Sequence, residues 1–486
     1  MFNCNLAAVP WQAWCDKKGK SLHEAEKGIF MLSWEKLLDP VRRKDLQGSP
    51  ESMGTAVGRT ELERDYDRIL FAAPTRRLAD KAQVFPMEEH DSVRTRLTHS
   101  HEVSNLARSI GVRLAFEHPE AVFGPNHEHL QVKRNVPALL AAVGLAHDLG
   151  NPPFGHQGEI AIQQWFDGPG NGGEFDIDFK EFDGNAQTFR LLTRLQLLND
   201  QFGLNLAIGT LGALIKYPSV YGSADKGGFK KYGIFKSEAP IVEQVWERTG
   251  LSPGVRHPLA YVMEACDDIA YSVIDAEDTV KKGYASFYDL MDFLESNGGQ
   301  DGIIQQVVKR SREKNVEFKR EKLSFRELSD MSMQMFRVKA ISEMIVAATD
   351  VFVQSIDKMM DGSIEPGFEL MKNSSCAQLC ALTKEFDFRY GFQHKDVLQL
   401  ELQGNNYIKS MMSILWRAIS HEDRSDKPFE RYVFGEISEN YRRVYDGTDK
   451  SKYYNCQLLC DSISGMTESF LIKKHDEFKS LENAPA

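Results

Sequence analysis

Ala146-His147-Asp148-Leu149-Gly150-Asn151-Pro152-Pro153-Phe154-Gly155-His156-Gln157-Gly158-Glu159 decides the fold. The run leading into it, Ala138 to Leu149, is made of helix formers and is apolar apart from Gly144 and the His-Asp pair. Gly150-Asn151-Pro152-Pro153 then stops it, because proline cannot continue a helix and its ring restricts the residue before it. An imidazole and a carboxylate at the buried end of an apolar helix are costly unless they pair with each other or bind a metal. His147-Asp148 therefore reads as a ligand pair. Beyond the turn, His156 and Glu159 stand three apart at the start of the next helix and share one face. A histidine held by a carboxylate is a proton-transfer pair.

Working outward, Arg94-Thr95-Arg96-Leu97-Thr98-His99 opens a helix whose apolar positions are Val103, Leu106, Ala107, Ile110 and Leu114. His99 lies one turn before Val103 and faces inward with that stripe. Downstream, Glu264-Ala265-Cys266-Asp267-Asp268-Ile269-Ala270-Tyr271-Ser272-Val273-Ile274-Asp275 places Asp267, Tyr271 and Asp275 at successive fours along an otherwise apolar helix. An acid, a phenol and an acid there suit the wall of a metal-phosphate pocket. His99, His147, Asp148 and Asp267 make a four-ligand set from three segments, with open positions for water and phosphate. Mixed N/O ligation admits manganese, magnesium, iron, cobalt or zinc.

The rest of the chain supplies a frame. Its 486 residues are 42% hydrophobic and 27% charged, a globular composition. The net charge of −11 argues against general coating of nucleic acid. No apolar run approaches the ~18 residues of a membrane span. Seven cysteines, an odd number, suit a reducing cytoplasm, and the spaced pairs Cys376/Cys380 and Cys456/Cys460 read as small buried hydrophobes rather than a zinc hairpin. Residues 1–30 carry Trp11, Trp14 and Cys15 without the apolar core of a signal peptide, so they read as a non-catalytic extension ahead of Met31. Helical periodicity in Val136–Leu149, Val262–Val280, Phe336–Met360 and Tyr407–Ile419 predicts a mostly α fold. Loops are expected at Gln47–Gly58, Gly168–Gly173 and Gly222–Gly233, and Lys309–Lys322 reads as a solvated helix face. Three parts are expected: a lead-in over 1–58, a metal and catalytic core over 59–290, and C-terminal helices over 291–486.

The segments quoted above, with Phe182-Asp183-Gly184-Asn185-Ala186-Gln187 and the late Ser464-Gly465-Met466-Thr467, resemble the dGTPase family of the HD-domain superfamily. The resemblance runs in order from about Thr60 to Thr467 and implies a helical phosphohydrolase fold with additional C-terminal helices. It implies hydrolysis of deoxynucleoside triphosphates to deoxynucleoside and tripolyphosphate. His99, His147, Asp148 and Asp267 match the family's ligands to one divalent ion, manganese or magnesium foremost, and His156 and Glu159 its catalytic pair. Asn185, Lys216, Tyr217, Tyr271 and Asp275 match positions near the phosphates and sugar, Gln83 and Val84 those nearer sugar and base, and Glu401 a late base-contacting position. Arg96 is expected on phosphate, and the role of Lys216, which would be unremarkable on an exposed helix, rests on the resemblance. Such proteins form homo-oligomers, hexamers among them, and some respond to a nucleotide; a single-stranded DNA effector is a further expectation. Two other readings stand beside this one: a nucleotidase acting on monophosphates, and a regulator that binds nucleotide or single-stranded DNA without turnover.

Overall fold

The computed structural model describes residues 31–48, 58–87, 92–168, 174–196, 200–223, 226–421 and 423–482. The expected extension over 1–30, Cys4 and Cys15, and most of the loops at 47–58 and 168–173 lie outside the described residues. Among the described residues the structure is all helix; the only β features are three isolated bridges, one of them Ala82↔Thr95. None of the described helices is long and apolar enough to cross a membrane.

Helices Glu61–Leu70 (α1), Arg96–Glu117 (α2) and Val132–Ala146 (α3) pack as a group, with α3 between the other two. The crossing of α2 and α3 is close because Gly144 has no side chain: a Cβ there would lie 2.8 Å from the Cα of Ser104. Ser104 Oγ also donates to the carbonyl of Ala141 at 2.7 Å. This contact lies about a turn from His99 on one helix and His147 on the other, so it sets the distance between the two imidazoles. Gly144→Ala is expected to overpack the crossing and cost about 1–3 kcal/mol, read by chemical denaturation.

Gly155–Asp167 (α4), Gly184–Arg190 (α5) and Pro258–Ile269 (α6) complete the frame of the site, and Asp275–Lys281 (α7) continues α6 through an intervening turn. The 36-residue helix Phe325–Met360 (α8) lies along α6 and α7. Ala377–Phe386 (α9) and Lys395–Ser420 (α10) follow, and α10 packs against α4 where Gly404 meets the ring of Phe154. Lys452–Ser464 (α11) is fastened to α5 by a buried ion network. Arg190 donates to Glu238 at 2.8 Å and to Asp461 at 2.7 Å, both carboxylates being almost fully enclosed. Glu468–Glu482 (α12) ends the described chain.

Leu32–Ala486 is one compact unit, and one apolar cluster runs through it, from Val103 in α2 and Leu140 in α3 to Met344 in α8 and Leu459 in α11. Cys266, Cys376, Cys380, Cys456 and Cys460 are buried free thiols within that cluster. The Lys309–Lys322 stretch is helical through Phe318 and carries its lysines outward.

Candidate functional site

Thr95 opens α2, donating its N–H to Thr98 Oγ1 at 3.1 Å, and His99 follows one turn in with no exposed surface. His147 caps the C-terminal end of α3. Its Nδ1 donates to the carbonyl of Gly144 at 2.7 Å, which leaves the Nε2 lone pair facing the site. That buried Nε2 has no hydrogen-bond partner. Around it converge Asp148 Oδ1 at 3.5 Å and Asp267 Oδ1 at 3.6 Å, and the same Asp267 oxygen lies 3.3 Å from His99 Nε2. Ligands about 2.1 Å from one ion lie roughly 3–3.5 Å from each other, so these donors fit a single divalent cation. His99, His147 and Asp148 alone already offer ligand atoms within 4.8 Å of one another.

Asp148 is held in place on both oxygens. Arg96 binds its Oδ2, and Asn151 Nδ2 donates to its Oδ1 at 2.8 Å. The field of the pocket favours positive charge. Burial disfavours a charged His147, yet Asp148 and Asp267 outweigh it and push the imidazole up to about 9. Burial likewise opposes the charge of Asp267, but His147, His99 and Lys216 hold that carboxyl well below its usual range. Two imidazoles and two carboxylates with an orphaned nitrogen among them make a site that a divalent metal would satisfy.

Beside it stands the second pair. His156 is the exposed member, its side chain 72% open, and its Nδ1 lies 3.1 Å from Glu159 Oε2. Glu159 is buried and accepts the backbone N–H of Gly184 at 2.7 Å through its other oxygen. The hydrogen bond to Glu159 raises the His156 pKa above its ordinary value, and Lys231 opposes the rise. Lys231 was not among the residues expected from sequence. It binds Asp183 at 2.6 Å and lies 3.8 Å from Glu159, and Asp183 in turn caps α5 by accepting from the N–H and side chain of Asn185. Its only sequence signal was a lysine in the Gly-rich stretch Gly222–Gly233.

Lys216 lies just beyond a buried helix. Helix Ile208–Leu214 ends before it, Pro218 follows closely, and its side chain is only 18% exposed, 3.6 Å from Glu264. Its ammonium lies 5.8 Å over the Tyr217 ring. Tyr271 is part-exposed, with the Phe392 ring at 5.6 Å and the Lys384 ammonium at 5.5 Å. Lys384, also missed, pairs with Asp268. Spacing by fours does not carry through to Asp275, because Ala270–Ile274 winds as a wider π turn. Asp275 is fully buried rather than open beside Tyr271, and neither of its carboxylate oxygens has a hydrogen-bond partner. Gln83 and Val84 follow Ala82, whose carbonyl accepts from Arg96 Nε at 3.2 Å. Burial raises the carboxyl pKa of Glu401, and the charge of His156 opposes it, so α10 brings this residue within the field of His156.

Residues 96–206 match the HD domain family. The chain is 33% identical over 469 residues to a deoxyguanosinetriphosphate triphosphohydrolase-like protein of Listeria monocytogenes, covering 90% of this chain and 97% of that protein. It is 37% identical over 465 residues to a protein of the same description from Synechocystis sp., covering 90% and 97%. A deoxyguanosinetriphosphate triphosphohydrolase of Enterobacter sp. is 29% identical over 483 residues, covering 86% and 93%.

Proposed function

The chain belongs to the deoxyguanosinetriphosphate triphosphohydrolase-like family of HD-domain hydrolases, and we propose that it hydrolyses deoxynucleoside triphosphates, dGTP among them, to deoxynucleoside and tripolyphosphate. The observation that carries this is the convergence of His99, His147, Asp148 and Asp267 beside an exposed His156 whose partner Glu159 is buried. Those four residues would hold one divalent ion, manganese or magnesium. When bound, the ion supplies Lewis acidity toward phosphate oxygen and water.

The chain's own groups do the rest. Lys216, Arg96 and Lys231 bring positive charge to a polyphosphate, and Tyr217, Tyr271 and Asn185 add polar and ring contacts. Water attacks the α-phosphorus and releases a proton to solvent, the bond to the nucleoside 5′-oxygen breaks, and that oxygen takes a proton from His156 Nε2, which solvent then restores. Glu159 holds the His156 ring through Nδ1 and favours its protonated form. Gln83 and Val84 are assigned to sugar and base, and Glu401 to the base. On this reading residues 59–290 are the metal and catalytic core, and 291–486 complete the nucleotide pocket. A homo-oligomer, a cytoplasmic location and a nucleotide or single-stranded DNA effector go with the family reading.

An acid must be protonated, so turnover falls as pH rises through the raised His156 pKa. Glu159→Gln removes the group that raises that pKa, and the alkaline limb of kcat moves to lower pH. Lys231→Ala removes the opposing charge, and the limb moves to higher pH. A pH–rate profile of each variant checks both directions; a limb that stays put in both would refute His156 as the acid.

The direct test of activity is to incubate metal-reconstituted protein with each dNTP and with GTP and to follow the nucleoside product by chromatography. Release of deoxynucleoside from dNTPs is the expected result. Turnover confined to monophosphates would make the protein a nucleotidase.

A further inference from the structure

We infer that Glu468, the first residue of α12, is a positioning residue for the reaction: one buried carboxylate that ties the nucleotide-wall segment 82–87 to the start of the catalytic helix α4. The inference rests on the hydrolase reading above and adds to it a residue far from the metal in sequence.

The geometry is specific. Glu468 is 3% exposed. Its Oε1 accepts the backbone N–H of Ala82 at 2.8 Å and that of Phe154 at 3.1 Å, and its Oε2 accepts the N–H of Met87 at 3.1 Å. Ala82 is followed directly by Gln83 and Val84, and Phe154 precedes Gly155 and His156. Phe154 is the cap of α4 and sits at φ +61°, a left-handed conformation that bulky residues rarely adopt. An enclosed acceptor on its N–H helps hold it there. Without Glu468 the N–H groups of Ala82, Met87 and Phe154 would lose their acceptor together, and that of Phe154 is buried, where folded chains avoid an unpaired donor.

A second fastening runs parallel to the first. Lys81 Nζ donates to the carbonyl of Ser464 at 2.7 Å and to that of Asn151 at 2.6 Å, and the Asn151 side chain in turn orients Asp148. The turn between α11 and α12 thus touches both walls of the site without contributing an atom to it. A stretch whose sequence suggests only a helix break sets the distance between the group that binds the sugar and base and the group that transfers the proton. Misplacement of reacting groups by about 1 Å can cost on the order of 10²-fold in rate.

Hydrogen–deuterium exchange and steady-state kinetics on the full-length, metal-loaded protein test this. Glu468→Ala removes both acceptor oxygens, so none of the three N–H groups keeps its partner. Peptides covering 82–87 and peptides covering 154–160 are both expected to exchange about tenfold faster or more, although they are far apart in sequence. With dNTP substrate, KM is expected to rise and kcat to fall, lowering kcat/KM on the order of 10²-fold at unchanged metal content. Ser469→Ala, whose hydroxyl reaches Asp80 at 2.8 Å and neither segment, is expected to leave exchange and kinetics as in the wild type. Glu468→Asp keeps the charge and falls short by one methylene; it serves if the alanine variant does not fold, and it is expected to loosen both segments to a lesser degree. Loosening of only one segment would overturn the proposal. So would a variant whose KM is unchanged and whose kcat falls only with its unfolded fraction. A wild-type protein that releases no deoxynucleoside from any dNTP would instead refute the hydrolase reading, while the exchange data would still show whether Glu468 joins the two segments.

Discussion

Asp148→Asn is expected to abolish metal binding and turnover together. The change keeps the shape of the side chain, and Arg96 and Asn151 still surround it, but the negative charge that His147 and the ion require is gone. Asp148 is the foremost charge raising the His147 pKa against burial, so its loss removes much of the attraction for a cation at that point. A metal's stabilisation of transition-state charge is several kcal/mol, and about 1.4 kcal/mol is a factor of ten, so the rate should drop on the order of 10³-fold or more. Metal analysis of the purified variant, alongside deoxynucleoside release, reads both effects. Full metal occupancy with activity within tenfold of wild type would show that the cluster is not the ion's site.

His156→Ala separates chemistry from metal binding. The side chain is exposed, touches none of the four clustered residues, and makes its contact with Glu159. Removing a positioned proton donor typically costs about 10²–10⁴-fold in rate. The variant should therefore keep its ion and its folding temperature while kcat falls by that factor. Equal loss of bound metal would give His156 a structural role and leave the leaving oxygen without a donor.

Much of this centre could be read from residue order, and the reasons are local. His147-Asp148 and His156-x-x-Glu159 announce themselves because ionisable groups on apolar helix faces need a cause, and helical spacing alone says which of them share a face. His99 was placed by the stripe that follows it, and the crossing at Gly144 brings it to His147 as expected of inward faces. The setting of Lys216 is not legible in residue order, because its burial against Glu264 depends on a residue distant in sequence. The wider winding at Ala270–Ile274 has no signature in residue type, so Asp275 was expected beside Tyr271 and is instead enclosed. Lys231, Lys384 and Glu468 act through long-range contacts to Asp183, Asp268 and the backbone of 82–87 and 154, which periodicity cannot report.

Hydrolysis of a dNTP in oxygen-18 water tests the central claim most directly. Attack at the α-phosphorus with departure of the 5′-oxygen predicts label in tripolyphosphate and none in the deoxynucleoside. A deoxynucleoside monophosphate with pyrophosphate, or a deoxynucleoside diphosphate with orthophosphate, would mean that a different bond is cut and would contradict the account.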